Sequence, residues 1–441
     1  MSRLAAKLAE PTDGASLAVW RVCFGAILML EVVRFWTNGW IEQYYEPGDY
    51  HFTYLGFDWV RPWPGWGMHA HFGFLFACAL GLALGWRARL CALLFGLGFT
   101  QVFLIEKARY LNHFYLVAIL AFLMAAVPCG ACGSIEAWRR GGPRAIPRWA
   151  LELLRFQLGL VYFYAGVAKL NPDWLRGEPM RRWLADRADH PGLGWLIQLD
   201  GSAWMFSYGG LLLDLCAWPA LVWAPTRRIV FPLLCAFHLM NASLFGIGIF
   251  PWTAIAATTL FLEPDWPRRA LELVRARPRR ALGAPAPIAR PLAGLLLLHL
   301  ALQLLVPLRH FLYPGRVSWT EEGHAFAWHM KLRGKDAVAR FVLRDPDGGV
   351  ELVDPLHELP PWKASKMATR PDMVQQYARH LAAQREARGR PRPAVYASVY
   401  CSLNGRAPEL LIDPAVDLAA EPRNLARADW ILPLRGSLWN E

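Results

Sequence analysis

Val161-Tyr162-Phe163-Tyr164-Ala165-Gly166-Val167-Ala168-Lys169-Leu170-Asn171-Pro172-Asp173-Trp174 closes a long apolar run with one lysine and then an Asn-Pro pair. The residue before a proline is driven out of the α region, so a helix through this run must stop just after Lys169. Lys169 therefore sits at or just inside a membrane boundary. The chain has 47 Lys plus Arg, yet lysine occurs only at positions 7, 107, 169, 331, 335, 363 and 366. Arginine keeps its proton at every accessible pH, whereas a desolvated lysine can become a free amine and act as a general base. Against that reading stands a snorkelling lysine, common at helix ends, whose ammonium merely reaches the headgroup layer.

Working outward, 441 residues with 55% hydrophobic side chains and 22 tryptophans are too apolar for a soluble chain of this size. Runs of about 20 apolar residues, the length that crosses a bilayer, lie near 16–36, 68–86, 90–106, 111–130, 150–170, 204–224, 228–247 and 291–308, with a shorter ninth candidate at 249–262. Cytoplasmic loops hold the excess of Lys and Arg, and nine spans divide the loops accordingly. One set carries Arg3, Lys7, Arg87, Arg89, Arg139, Arg140, Arg144, Arg148, Arg227, Arg228, Arg268, Arg269, Arg275, Arg277, Arg279, Arg280 and Arg290. The alternate set carries only Arg61, Lys107, Arg109, Arg176, Arg181, Arg182 and Arg187. The N-terminus is then expected in the cytoplasm and everything after 308 on the outer face. The +12 net charge follows largely from this topology and implies no nucleic-acid partner. Residues 1–14 are polar and no small-residue cleavage site follows the first run, so that run is expected to be an anchor. Cys129 and Cys132 form a C-x-x-C, but at the inner end of a span and outside any βαβ pattern, which argues against redox work.

The outer loop at 37–67 is crowded with Trp, Tyr and Pro and reads as an aromatic belt at headgroup level. Arg155, Tyr162 and Lys169 recur at steps of seven along one helix stripe, with Gly159 and Gly166 allowing a neighbour close. Asn112 and His113 open the fourth span; Asp214 lies in the sixth, and His238 and Asn241 share a face of the seventh. By the topology, Asn112, His113, Lys169, Asp214, His238 and Asn241 all fall in the outer half of the membrane. Buried charges must have partners before they have functions, so Asp214, Arg155 and Tyr162 are read first as structural. Two histidines on distant spans, with no H-x-x-x-H or Cys companion, make a weak metal or haem signal, and no metal is expected. Proton transfer next to an apolar, membrane-dissolved substrate suits the layer better: an amine to take a proton, imidazole and amide groups to hold an oxyanion. Quinols are such substrates.

Beyond the last span, strand-like alternation at 339–343 and 395–403, broken by turns at 347–348 and 404–405, predicts a small α+β domain. One helix is expected from Arg370 to about Arg388, capped by Thr369 with Pro371 in its first turn. The fold expected is thus an all-α integral membrane bundle of about nine transmembrane helices over 1–309, followed by an exofacial α+β domain over 310–441.

Leu111-Asn112-His113, Ala165-Gly166-Val167-Ala168-Lys169-Leu170, Gly209-Gly210-Leu211-Leu212-Leu213-Asp214, Phe237-His238-Leu239-Met240-Asn241, His310-Phe311-Leu312-Tyr313-Pro314-Gly315 and Trp319-Thr320-Glu321 resemble, in order, the vitamin K-dependent γ-glutamyl carboxylase family, with its HTTM-type membrane domain. The resemblance implies an integral membrane enzyme that oxygenates vitamin K hydroquinone to the epoxide; the preference for arginine over lysine suggests a GC-rich bacterial genome, where the quinone would be menaquinol in the inner (plasma) membrane. The strong base formed deprotonates a protein glutamate, which captures CO2; O2 and CO2 are co-substrates. By motif position Lys169 is the expected base, with His113 and Asn112 beside it. His238, Asn241, Tyr162 and Asp214 are the expected quinol-binding residues, and Trp319, His324, Trp328 and Met330 would meet the glutamate. Two positions depart from the animal enzyme: Ala168 replaces the first of two lysines, and His324 replaces a tyrosine. The expected partners are membrane lipid, the quinone and a glutamate-containing protein or peptide. Two alternatives stay open from the residues: a quinol epoxidase or oxidoreductase without protein carboxylation, and a non-enzymatic lipid- or quinone-binding membrane protein.

Overall fold

A computed structural model describes residues 3–46, 48–272, 288–436 and 438; Arg275, Arg277, Arg279 and Arg280 of the basic loop lie outside the described residues. The apolar runs become helices α1 (Ala15–Thr37), α2 (Gly67–Leu84), α3 (Ala88–Ile105), α4 (Asn112–Ala126), α5 (Arg148–Lys169), α6 (Ser202–Val222), α7 (Ala224–Phe245), α8 (Phe250–Thr258) and α9 (Arg290–Leu305). Among the described residues, seven helices are long and apolar enough to cross a membrane; α4 and α8 are apolar but shorter, so by that measure the expected count of about nine spans stands at seven. Proline explains both short helices. Val127, the residue before Pro128, is extended (ψ 156°) and ends α4. Pro251 sits at the start of α8, and the chain leaves its terminal 3₁₀ turn just before Glu263-Pro264.

The basic and the sparsely charged loops collect at opposite ends of the bundle. At the basic end Arg268 Nε bonds Asp13 Oδ2 at 2.6 Å, and Arg21 donates to the carbonyls of Gly133 and Cys129. Arg155 donates to the carbonyls of Leu260 and Leu262 at 2.7 and 3.1 Å, closing the end of the α8 segment. Cys129 and Cys132 are both buried free thiols there, and Cys132 donates to the Arg144 carbonyl.

At the other end stands the α+β domain. Strands β1 (Lys335–Arg344), β2 (Val350–Val353), β3 (Ala394–Leu403) and β4 (Glu409–Leu410) form an antiparallel sheet in the order β2-β1-β3-β4, with Phe341 opposite Ala397 and Ala339 opposite Val399. Alternate residues point to one face. Ala339, Phe341 and Leu343 are buried with Val395, Ala397, Val399, Cys401 and Leu403. Phe341, fully buried beneath Tyr377 with ring centroids 5.1 Å apart, contributes about 1.5–3 kcal/mol by burial alone. Two helices cover this face, α10 (Pro361–Ala368) and α11 (Pro371–Ala387), where one was expected. Thr369 does not cap the second. It ends the first, its hydroxyl donating to the Lys366 carbonyl at 2.9 Å.

Buried ion pairs lock the domain onto the bundle. Asp173, just after the Asn-Pro turn, accepts from both terminal nitrogens of Arg406 (2.7 and 2.8 Å) and from Asn404 at 2.8 Å. Glu106 accepts from Lys363 at 3.0 Å and lies 3.2 Å from His51. The aromatic loop is only partly a belt: Trp59, Trp63 and Trp66 are exposed, but Phe52 and Tyr54 are buried beneath the domain.

Candidate functional site

The site begins with a close approach between α5 and α6. A Cβ on Gly166 would lie 2.8 Å from the backbone nitrogen of Leu215, so only glycine lets the helices come this near. Asp214, next to Leu215, then meets Lys169 one turn beyond Gly166. The distance is 2.5 Å from Lys169 Nζ to Asp214 Oδ2, and both side chains are buried. Lys169 also donates to the Ala165 carbonyl at 3.2 Å, and its ammonium lies 5.3 Å from the Trp174 ring centroid. An ammonium has three donor positions, of which these two bonds use two.

Lys169 and Asp214 line a cavity of about 910 Å³ on the side of the bundle toward the α+β domain, where Met330 and Lys331 also reach it. Its walls are mostly apolar, from Leu158, Phe206, Phe237, Met240 and Phe250 among others. Asn112, His113, Tyr162, His238 and Asn241 line the same space. Tyr162 Oη and His238 Nε2 share a hydrogen bond of 2.7 Å, while His238 Nδ1 is buried without a partner among the described residues. The Asn112 side chain accepts from Tyr110 at 2.8 Å and donates to the His329 carbonyl at 2.8 Å, tying the first turn of α4 to the outer segment.

That segment, between α9 and β1, is unusual in backbone. Glu321, Phe326, Trp328 and Lys331 all have positive φ, a conformation costly for non-glycine residues and held only by surrounding packing. Of its four expected residues, only Met330 reaches the cavity wall, joined by Lys331. Trp319 is buried in the outer domain and donates to the Leu432 carbonyl at 2.7 Å. Trp328 is fully buried, stacked on Tyr115 with centroids 5.0 Å apart. His324 contacts Arg333 and stands edge-on to His329 at 5.0 Å. Burial pushes both imidazoles below their ordinary range, His329 to about 3 with His310 and Arg333 adding to the effect. These histidines are therefore neutral at physiological pH.

Sequence reasoning missed Glu31 and Arg34 of α1, which pair at 2.6 Å and line the cavity, and Arg109, which lines it from the turn before α4 and stacks on Tyr44 at 3.8 Å. Two charges three residues apart inside the first apolar run were the signal that could have found the pair.

The family model described as HTTM domain matches residues 9–266, and that described as Vitamin K-dependent gamma-carboxylase, lumenal domain matches residues 289–437. No solved structure matches the chain.

Proposed function

The chain belongs to the vitamin K-dependent γ-carboxylase family, with its HTTM membrane domain and its lumenal domain, and from that premise we propose that it oxygenates a membrane hydroquinone and carboxylates protein glutamate. The observation that carries the proposal is the Lys169–Asp214 pair, buried at 2.5 Å on the wall of a large apolar cavity. A quinol fits such a space: an apolar tail among Phe206, Phe237 and Met240, and a hydroxyl end toward the polar groups.

Oxygenation of the hydroquinone supplies the strong base that removes the glutamate γ-proton. The residues of the chain serve that chemistry by holding and moving protons. With the pair's proton resting on Asp214, the neutral Lys169 amine takes the proton of the quinol hydroxyl, and Asp214 holds Lys169 in place. Because the pair is neutral overall, a proton can pass between amine and carboxylate without leaving a net charge in the apolar cavity. His113 and Asn112 stand at the same end to donate to oxyanions, and the Tyr162–His238 bond fixes the imidazole orientation. Met330 and Lys331 bring the outer segment to the cavity, where a peptide on the non-cytoplasmic side would present its glutamate. The excess of arginine in the opposite loops supports a cytoplasmic N-terminus.

The test is one assay on purified protein with reduced vitamin K or menaquinol, oxygen, labelled bicarbonate and a glutamate-containing peptide. Epoxide and fixed label together are expected. Epoxide without label would reduce the assignment to quinol epoxidation, and neither product from folded protein would refute it.

A further inference from the structure

Charge in the cavity is unbalanced. Four basic side chains line it (Arg34, Arg109, Lys169, Lys331) against two acidic ones, Glu31 and Asp214. A neutral quinol does not call for that surplus, which in an apolar enclosure is costly unless an anion completes it. Arg34 and His113 converge at Gly248, in the loop between α7 and α8. Gly248 has φ +62°, and a Cβ built on it would lie 3.4 Å from Arg34 Nη1 and 3.7 Å from His113 Nε2. The space above this glycine is thus bordered by guanidinium and imidazole nitrogens. Arg34 spends one bond on Glu31, which aims the group, and keeps further N–H donors. The His113 side chain makes no hydrogen bond among the described residues. Arg109 lies within electrostatic range of both His113 and Glu31, and its Nε is buried without a partner among the described residues.

We propose that Arg34 and His113, facing each other across the Gly248 notch, bind a carboxylate, and that this carboxylate is the side chain of the glutamate substrate. The inference rests on the proposed carboxylation and adds the residue that would select glutamate over glutamine. Planar guanidinium matches planar carboxylate, and Arg109 adds positive charge to the same corner.

The experiment measures binding of three probes to the detergent-solubilised full chain: a short peptide with one glutamate, the same peptide with glutamine, and free butyrate. The variants are Arg34→Gln and Glu31→Gln/Arg34→Gln; the double change removes both charges, so Glu31 is not left buried and unpaired. Thermal unfolding checks that each is folded. The wild type is expected to prefer the glutamate peptide, and loss of one charge-assisted hydrogen-bond partner should cut that preference about tenfold to a hundredfold. A glutamate preference that survives in the folded double variant would overturn the notch and leave the carboxylation reading standing. Arg34-dependent butyrate binding with no peptide preference would keep the carboxylate site and overturn glutamate as its ligand. A wild type that binds neither carboxylate would overturn the proposal outright.

Discussion

Replacing Lys169 by methionine would leave Asp214 buried with no counter-charge. Breaking a buried pair from one side costs about 3–5 kcal/mol, and an uncompensated aspartate at the centre of a membrane helix costs about 2.5–3.5 kcal/mol on insertion scales; both place the loss at roughly 3 kcal/mol. The double variant Lys169→Met/Asp214→Leu removes both charges and fills the space with apolar side chains, so it should recover most of that loss and could exceed the wild type, as apolar replacements of buried pairs gain about 1–4 kcal/mol in other proteins. Unfolding in detergent, with all variants in one micelle, reads the cycle. Turnover of hydroquinone reads the chemistry separately: both variants should be inactive, the stable double one included. Lys169→Arg completes the set, because it keeps a cation beside Asp214 yet cannot release its proton. Normal folding with lost turnover is expected. A double variant that still oxygenates quinol, or an unimpaired Lys169→Arg enzyme, would refute the proton-transfer role and leave the lysine a structural anchor.

Asp173→Ala should detach the outer domain from the bundle, because it strands Arg406, which is 5% exposed; a loss of about 3–5 kcal/mol is expected, seen as protease cleavage near residues 310–320 that the wild type resists. Acid should weaken the same region. His324 and His329 stay neutral when folded, His329 down to about pH 3, whereas unfolded imidazoles take up protons near pH 6.5. Between those values the unfolded chain binds more protons, so stability rises with pH through this window and falls on acidification. For His329 the loss at pH 5 is on the order of 2 kcal/mol, with His324 adding in the same direction, and equal unfolding midpoints at pH 7.5 and 5 would contradict it. Gln157→Leu breaks a chain of bonds from His299 (2.9 Å) through Gln303 (3.1 Å) to Tyr115 (2.9 Å) that fastens α9 to the bundle. A modest loss, about 0.6–1.7 kcal/mol, is expected from such intramembrane bonds, with crosslinking between introduced cysteines on α9 and α5 reporting the loosened helix.

Much of the fold follows from local pattern. A membrane helix is recognised by the length of its own apolar run, and the Asn171-Pro172 pair ends α5 through a steric clash between neighbours, so Lys169 could be placed at an outer helix end without knowing any partner. The period-two alternation of β1 and β3 and the asymmetry of basic loops are equally local. Pro128 shortens α4 more than its hydrophobic run, 111–130, suggested. Pair identities were not. Asp214 is 45 residues from Lys169, and nothing in either stretch names the other; only the close approach at Gly166 brings them together. The aromatic residues of the outer segment show the same limit. Trp319 and Trp328 match binding positions by motif, yet one packs the domain core and the other stacks on Tyr115, while Met330 and Lys331 reach the cavity. Sequence alone marked most of the residues that are too polar for their surroundings, because desolvation is a property of each side chain and its run, but it passed over Glu31 and Arg34. Tertiary structure decided which of them satisfy one another and which face the cavity, because hydrogen bonds and ion pairs act over about 3 Å and depend on how distant helices pack.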